Sequence, residues 1–581
     1  MKLGRMEFCR HLLALFFFCG LASVGFALDR DAFTFTSYDL NLRIEPEQQR
    51  LGVRGKIVLR NDSSAPQKFA VLQISSSLDW RSITYAGKPV QFVTQPYTSD
   101  IDHTGMLSEA VITLPAILAP GGSVELEVGY EGVIVLDATR LLRIDTPESI
   151  AHSSDWDQIG KNFTAVRGVG FVAWYPISTV AEDLSDPNDS LEAATRWKRR
   201  ESPARMHLHI AVIGNDEASS YRLVEDNSEC VQTHEQMGGS QISVADCLYQ
   251  PMGLRVPTFV AAEYRLLETP NLRVSYLSGH DAAATSYSET AEKLVPLIVE
   301  WFGPLHGKAQ TADLIDPDSA PFESGAFLLT PFASLDAKND GLLAAHQLTH
   351  AAISSPRAWI DEGLPHFAQA LSVEEQKGHQ AALEYLASHS SAFLAAEKIA
   401  PTKPEEEANR SLVNTNNEPL SRSKSMYVWW MLRDLIGDAA LKKALPAYRP
   451  EQDKEPSYLP RLIQAQTQRD LEWFFDDWVY RDRGLPDFKV DSAFTRKTLP
   501  EGFLITVTVE NSGAAGAEVP VTVKFAGGEI SKRLLVRGND KTVIRVEVPK
   551  MPEEIVVNDG SVPESDVTNN TFKIQPGNTE P

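Results

Sequence analysis

The sequence His346-Gln347-Leu348-Thr349-His350 is followed closely by Trp359-Ile360-Asp361-Glu362-Gly363. On a helix, histidines at positions i and i+4 project from the same face, so both imidazoles can bind one metal ion. The flanking residues are apolar and rich in alanine, and Asp340 can cap the N-terminus, which predicts a buried helix. Glu362 is then the expected third ligand.

A second helix is predicted to begin at Ser355-Pro356, with the serine as N-cap and the proline at the first helical position. It would carry Glu362 in its second turn. Two imidazole nitrogens and one carboxylate leave a fourth tetrahedral position open, which is typical of a catalytic zinc site. His346, His350 and Glu362 therefore predict one bound zinc ion.

These two sequences resemble the zinc site of the aminopeptidase N-like gluzincins, the zinc metallopeptidases that include membrane alanyl aminopeptidase. The family has HExxH, with a glutamate where this chain has Gln347. In the family this glutamate is the general base, and loss of such a group slows hydrolysis about 100- to 10,000-fold. The resemblance implies a divergent HQxxH member, with a shorter connection between His350 and Glu362.

Upstream of the histidines, Gly325-Ala326 matches the start of the family sequence Gly-Ala-Met-Glu-Asn. The resemblance implies that Gly325, Ala326 and Leu328 are substrate-binding positions, and it places Leu328 where the family glutamate binds the substrate's free amine. Because leucine cannot pair with an ammonium group, we expect poor recognition of a free N-terminus. Glu323 is close in sequence but is expected to point elsewhere. The other interpretation of this stretch is a buried strand.

A helix predicted from Lys424 to Leu441 resembles a family helix, and alignment without a gap places Arg422 at the family tyrosine that donates to the oxyanion. Arginine is also a donor and carries a positive charge. Tyr427 is a second candidate for this role, with a packed core aromatic as the alternative. His366 can orient Glu362, act as a fourth ligand, or be a hydrogen-bonded interior histidine.

The chain of 581 residues is predicted to form an α+β multidomain protein. Residues 28–265 alternate polar and apolar side chains, as in a large antiparallel β domain, and resemble the family's N-terminal β-saddle. Residues 266–486 have helical periodicity, and the resemblance implies a mostly α-helical, thermolysin-like metallopeptidase domain. Residues 487–581 contain short strands separated by turns, which predicts a C-terminal immunoglobulin-like β-sandwich.

Residues 1–27 have a basic end, an apolar centre and small residues at the end, which predicts a cleaved signal peptide. We therefore expect export to the periplasm or the cell exterior. The apolar run is short for a spanning helix, so no stable membrane anchor is expected. In an oxidising compartment Cys230 and Cys247 are expected to form a disulfide worth about 3 kcal/mol, with two unpaired thiols as the alternative.

The net charge of −23 disfavours nucleic acids and anionic membranes as partners. Three functions follow from the sequence. The first is a zinc-binding homologue whose peptidase chemistry is impaired or lost and whose cleft binds a peptide or a protein. The second is an active metallopeptidase in which Asp361, Gln347 or a chain of water molecules transfers protons. The third is a metal-free scaffold.

Overall fold

The computed structural model describes residues 28–186, 192–214, 221–226, 230–237, 240–336, 340–398, 411–498 and 501–574. The predicted signal peptide, residues 1–27, lies outside these ranges. Within them, no helix has the length and apolar character needed to cross a membrane.

The N-terminal part is built mainly from strands that form three sheets. The strands are β1 (Phe33–Glu45), β2 (Arg50–Asn61), β3 (Gln67–Ser75), β4 (Leu78–Tyr85), β5 (Lys88–Pro89), β6 (Phe92–Thr98), β7 (Met106–Leu118), β8 (Ser123–Val133), β9 (Phe163–Val166), β10 (Arg205–Ile213), β11 (Arg222–Glu225), β12 (Val231–Met237), β13 (Ser240–Tyr249) and β14 (Phe259–Ala262). The helices are α1 (Thr139–Leu142), α2 (Glu148–Ser154) and α3 (Glu192–Glu201).

The main sheet has the order β12-β13-β10-β1-β2-β8-β4-β5, and the smaller sheets are β3-β7-β6 and β11-β14-β9. In the main sheet, neighbouring strands are antiparallel except for β1 and β10, which are parallel. The predicted antiparallel arrangement therefore holds for the other pairs of this sheet but not for this one. The long connection between the two strands permits a parallel return, which a tight hairpin cannot provide. Cys230 and Cys247 form a disulfide at the β12–β13 side of this sheet.

The next part combines a five-stranded sheet with helices. The strands β15 (Arg265–Glu268), β16 (Leu272–Tyr276), β17 (Ala309–Asp313), β18 (Phe322–Ser324) and β19 (Phe327–Thr330) have the order β15-β16-β17-β19-β18. The helices are α4 (Asp281–Phe302), α5 (Asp340–Ala352), α6 (Ala358–Asp361), α7 (Gly363–Lys377), α8 (His379–Ser388), α9 (Ser390–Glu397), α10 (Ser425–Ile436), α11 (Asp438–Ala444), α12 (Tyr458–Gln464) and α13 (Glu472–Phe475). A π-helical turn, Leu420–Lys424, precedes α10.

The helix predicted from Lys424 to Leu441 is divided in two. Gly437 separates α10 from α11 with a φ of 82°, a left-handed conformation that favours glycine. The five-stranded sheet lies between two apolar cores, as the side chains of strand β19 illustrate. Leu328 belongs to the helical core, whereas Phe327 and Leu329 on the opposite face pack in a cluster shared with the N-terminal domain.

The C-terminal part has two sheets, β20-β21-β24 and β23-β22-β25-β26. Their strands are β20 (Phe488–Lys497), β21 (Phe503–Asn511), β22 (Ala517–Phe525), β23 (Gly528–Val536), β24 (Asp540–Val548), β25 (Pro552–Val557) and β26 (Thr571–Lys573). The apolar core of these sheets is continuous with that of the helices. Trp478 joins the two parts, since its indole nitrogen donates to the Gly516 carbonyl at 2.8 Å.

Candidate metal centre

The three predicted ligands come together in a cleft. The ligand atoms of His346, His350 and Glu362 all lie within 4.8 Å of one another. The Nε2 atoms of the two buried histidines are 3.2 Å apart. Two nitrogens bound to one tetrahedral zinc ion are separated by about 3.3 Å, so the spacing fits zinc. Glu225, Cys230 and Cys247 also lie close together, but the disulfide occupies both sulfurs.

Glu362 lies at the junction of two helices rather than in the second turn of one. The predicted start at Ser355-Pro356 is wrong, because α6 begins at Ala358. The Ser355 backbone N–H donates to Asp361 Oδ1 at 2.7 Å, and the Ser355 hydroxyl accepts from the Arg357 N–H at 3.1 Å. These bonds form a turn before the helix, and Glu362 follows at the end of α6, facing the histidines.

The residues next to Glu362 in sequence pack against helix α10 and so fix the position of Glu362. The rings of Trp359 and Trp429 stack with centroids 4.9 Å apart, and Trp429 Nε1 donates to the Trp359 carbonyl at 3.3 Å. A Cβ atom on Gly363 would lie only 2.6 Å from Ser425 Cβ, so only glycine permits this approach of α7 to α10. The conspicuous Trp-x-x-Glu-Gly sequence thus holds the third ligand against α10.

Glu323 also reaches the centre, and the expectation that it points elsewhere is wrong. Its Oε2 atom lies 2.9 Å from His346 Nε2. Its Oε1 atom is buried and has no hydrogen-bond partner in the part of the chain that the structure describes. The physical reason is the hairpin register: Glu323 pairs with Leu328, so both side chains leave the same face of the sheet.

Burial and neighbouring charges shift the pKa values of the predicted ligands. Burial and the neighbouring His346 lower the pKa of His350 to about 4, so His350 is neutral and can donate a lone pair near pH 7. Burial acts to lower the pKa of His346, but Glu323 outweighs it and the pKa is raised. Burial acts to raise the pKa of Glu362, but Arg422 and the histidines hold it far below its ordinary range.

Gln347 is buried and faces away from the cleft. Its Nε2 donates to the carbonyl oxygens of Gln310 at 2.5 Å and Ala326 at 3.0 Å, and its Oε1 accepts from the Tyr287 hydroxyl at 2.7 Å. The amide therefore ties α5 to the β17–β19 sheet. These hydrogen bonds engage the polar atoms of Gln347 away from the cleft, and its predicted role in proton transfer stays a prediction.

Of the predicted substrate-binding positions, Gly325 lines the cleft. Its φ of 57° suits the two-residue turn between β18 and β19. The Ala326 carbonyl is occupied by Gln347 and by the Gln310 N–H. Leu328 is fully buried in the helical core and is not among the residues that line the cleft, which argues against its predicted role in substrate binding. The alternative interpretation, a buried strand, describes Leu328.

Arg422 lines the cleft, and its guanidinium group is hydrogen-bonded to the predicted metal ligand Glu362. Its Nε donates to Glu362 Oε2 at 3.0 Å, and its NH1 pairs with Glu418. Tyr427 is buried beside the Phe393 ring, with centroids 5.5 Å apart, which is the packed core aromatic of the alternative reading. This packing favours the alternative interpretation for Tyr427 over the oxyanion donor.

His366 lines the cleft without joining the ligand group. Its Nδ1 lies 2.9 Å from the Glu362 carbonyl oxygen, and its ring centroid is 4.9 Å from that of His346. Burial and the nearby His346 lower its pKa well below the ordinary value. It therefore contacts the backbone of Glu362 and leaves the orientation of the carboxylate to Arg422.

The cleft has a volume of about 430 Å³ and also receives residues from the N-terminal domain. One face of α3 lines it through Ala194, Thr195, Lys198 and Arg199. Sequence reasoning missed these residues. The basic run Lys198-Arg199-Arg200 is the signal that marks this segment, although its position relative to the histidines depends on the packing of two domains.

The donor set fits zinc on its own chemistry. Two imidazole nitrogens and the Glu362 carboxylate converge, and a second carboxylate oxygen of Glu323 lies beside them. Among the described residues, one oxygen of Glu323 is buried without any donor. Burial of converging lone pairs and negative charge is costly unless a cation or donors satisfy them, so His346, His350 and Glu362 are suited to hold one zinc ion.

Comparisons with known proteins bear on the fold. The sequence matches no protein-family model and no curated protein. The structure is similar to crystal structures of an M1 zinc metallopeptidase from Deinococcus radiodurans. A mutant with a Tyr-Ser-Ala substrate bound has 17% identity and a TM-score of 0.51, and the alignment covers 79% of this chain and 97% of that chain. The fold is that of an M1 zinc metallopeptidase.

Two further structures of the same enzyme give the same result. The mutant alone has 16% identity and a TM-score of 0.50, with 79% of this chain and 97% of that chain covered. The M1 zinc metallopeptidase itself has 17% identity and a TM-score of 0.50, with 78% and 95% covered. The predicted multidomain architecture is thus confirmed at the level of the fold, which is similar to that of this M1 zinc metallopeptidase.

Proposed function

We propose that this chain is an exported, zinc-dependent peptidase of the M1 fold that hydrolyses short peptides slowly and uses Glu323 as its general base. The observation that carries the proposal is the 2.9 Å contact between Glu323 Oε2 and His346 Nε2. This contact places the Glu323 carboxylate beside the predicted metal ligands, whereas Gln347, at the position of the family's glutamate, has no carboxylate. The export rests on the predicted signal peptide.

In this proposal His346, His350 and Glu362 hold the ion. When bound, zinc acts as a Lewis acid that polarises a peptide carbonyl and makes water more acidic. The Glu323 carboxylate accepts a proton from the attacking water and returns it to the leaving amine. Arg422 fixes the Glu362 carboxylate and thereby the ligand geometry.

Two features support slow turnover. Arg422 already donates to Glu362 and Glu418, so it is not free to stabilise an oxyanion. Leu328 offers no carboxylate for the substrate amine. A second candidate function, zinc-dependent binding of a peptide or protein without hydrolysis, is favoured by the same engagement of Arg422. In this second candidate, the cleft binds the ligand but does not hydrolyse it.

The first test is the zinc content of the purified protein and of its His346→Ala variant. About one zinc per chain that disappears in the variant is expected. Zinc in neither protein would overturn both candidate functions and leave the metal-free scaffold.

The second test compares hydrolysis of tripeptides by the wild type and Glu323→Gln, with and without a chelator. We expect a chelator-sensitive rate that falls at least about 100-fold in Glu323→Gln while zinc content is retained. The matched control is Glu263→Gln, an exposed carboxylate that is not among the residues lining the cleft, which should leave the rate unchanged. Binding without turnover in the wild type would select the second candidate.

A further inference from the structure

Among the described residues that line the cleft, one basic side chain makes no hydrogen bond or ion pair with another described residue. Helix α3 carries four basic residues, and three of them are engaged. Arg196 is 3.6 Å from Glu192, Arg199 donates to the Asn414 carbonyl, and Arg200 pairs with Glu201 at 3.0 Å. Lys198 lines the cleft and makes no hydrogen bond or ion pair with any described residue.

The environment of Lys198 makes this unusual. The side chain is half-buried, and burial lowers the pKa of its ammonium group below the ordinary value. Glu362 and Glu418 attract it electrostatically, but both carboxylates are already bound by Arg422. A partly desolvated lysine with no partner among the described residues indicates a site that an external anion completes.

We propose that the cleft selects its peptide ligands by a carboxylate group, which the Lys198 ammonium binds. This inference rests on the proposed function, because it takes the ligand to be a peptide. It also replaces the amine recognition that the family motif implies, since Leu328 is buried in the core and Glu323 contacts a metal ligand. The cleft volume of about 430 Å³ suits a short peptide.

Two carboxylates can meet this requirement, the C-terminal carboxylate and the side chain of an aspartate or glutamate. The probes are Ala-Ala-Ala as free acid and as C-terminal amide, and Ala-Glu-Ala as amide. Affinities are measured by calorimetry on zinc-loaded protein in the Glu323→Gln background, so that hydrolysis does not consume the peptide. Recovery of affinity by Ala-Glu-Ala amide assigns the site to an acidic side chain, and no recovery assigns it to the C-terminus.

A charge-assisted hydrogen bond of this kind changes affinity about 10- to 100-fold. We expect Ala-Ala-Ala acid to bind that much more tightly than the amide. Lys198→Met should lower the affinity for the acid to that for the amide and leave the amide unchanged, while Lys198→Arg should retain the preference. Arg196→Met, on the same helix and paired with Glu192, is the matched control and should change neither affinity.

Equal binding of the acid and the amide by the protein that retains Lys198 would overturn the inference. This comparison does not depend on whether a variant at Lys198 folds. Equal weakening of both peptides by Lys198→Met would also overturn it, because that result indicates a structural role. Failure of the zinc-loaded protein to bind any of the peptides would instead overturn the proposed function. The two failures are therefore distinguishable.

Discussion

Glu323 lies directly opposite Leu328 in the hairpin formed by β18 and β19. Residues paired across antiparallel strands project from the same face, here the face toward α5. Leu328 on the inner strand is covered by the helical core, while Glu323 on the edge strand extends past it to His346. The hairpin thus presents one carboxylate at the metal centre, from the outer strand instead of the inner one.

Restoring the family glutamate at the inner position should therefore fail. We expect Leu328→Glu to destabilise the protein by at least about 3 kcal/mol, because a carboxylate would be buried among apolar side chains without a donor. Thermal unfolding measures this loss, and Leu328→Met, which conserves volume, should cost less than about 1.5 kcal/mol. A stable Leu328→Glu protein that gained a preference for free N-termini would show that this position is open to the cleft.

Restoring the general base at the HExxH position should fail for a different reason. Gln347 donates to the carbonyl oxygens of Gln310 and Ala326, so a carboxylate there would face two acceptors. We expect Gln347→Glu to lower stability by about 2 to 4 kcal/mol and not to raise the hydrolysis rate. Gln468→Glu, on an exposed loop, is the control and should change stability by less than about 0.5 kcal/mol. A faster Gln347→Glu enzyme would argue against Glu323 as the base.

Arg422 is expected to act through Glu362 rather than on the substrate. Loss of a hydrogen bond to a metal ligand lowers metal affinity about 10- to 100-fold, and we expect this from Arg422→Met. Zinc affinity is measured by competition with a chelator, with the exposed Arg481→Met as control. A large fall in kcat at saturating zinc, without any change in zinc affinity, would instead identify Arg422 as the oxyanion donor.

These contacts show which parts of the site can be predicted from sequence. The two histidines follow from helical periodicity, because residues at i and i+4 of one helix need no other element to meet. Glu323, Gln347 and Lys198 depend instead on hairpin register, on the position of a strand beside α5, and on the packing of two domains. Such long-range relationships leave no periodic pattern in the sequence. The parallel pairing of β1 and β10 was missed for the same reason.

Gly363 should be necessary for the position of the third ligand. A Cβ atom there would lie 2.6 Å from Ser425 Cβ and 3.0 Å from Trp429 Nε1. We expect Gly363→Ala to lower stability by about 1 to 3 kcal/mol and to weaken zinc binding, because α7 must move away from α10. Gly341→Ala in α5 is the matched control, since the nearest atom to its new Cβ is 4.0 Å away. It should leave stability unchanged or slightly raise it. An equal effect of both substitutions would contradict the steric argument.

Stability should also depend on pH through Glu225, a buried residue outside the cleft. Burial raises its pKa to about 8, and one of its oxygens is buried without a hydrogen-bond partner among the described residues. Between the ordinary value of 4.5 and about 8, the folded protein therefore retains a proton that the unfolded chain has released. The contribution of Glu225 to the free energy of unfolding therefore falls as pH rises through this window and levels off above it.

Glu225→Gln removes this titration and keeps the shape of the side chain. We expect the variant to be more stable than the wild type at pH 8.5, by on the order of a few kcal/mol, and the difference to vanish near pH 4.5. Thermal unfolding of both proteins over this pH range measures it, and the comparison cancels the contributions of other groups. The exposed Glu263→Gln should show no pH-dependent difference from the wild type. A wild type that gained stability relative to Glu225→Gln as pH rose would show that Glu225 is ionised and stabilising in the folded protein.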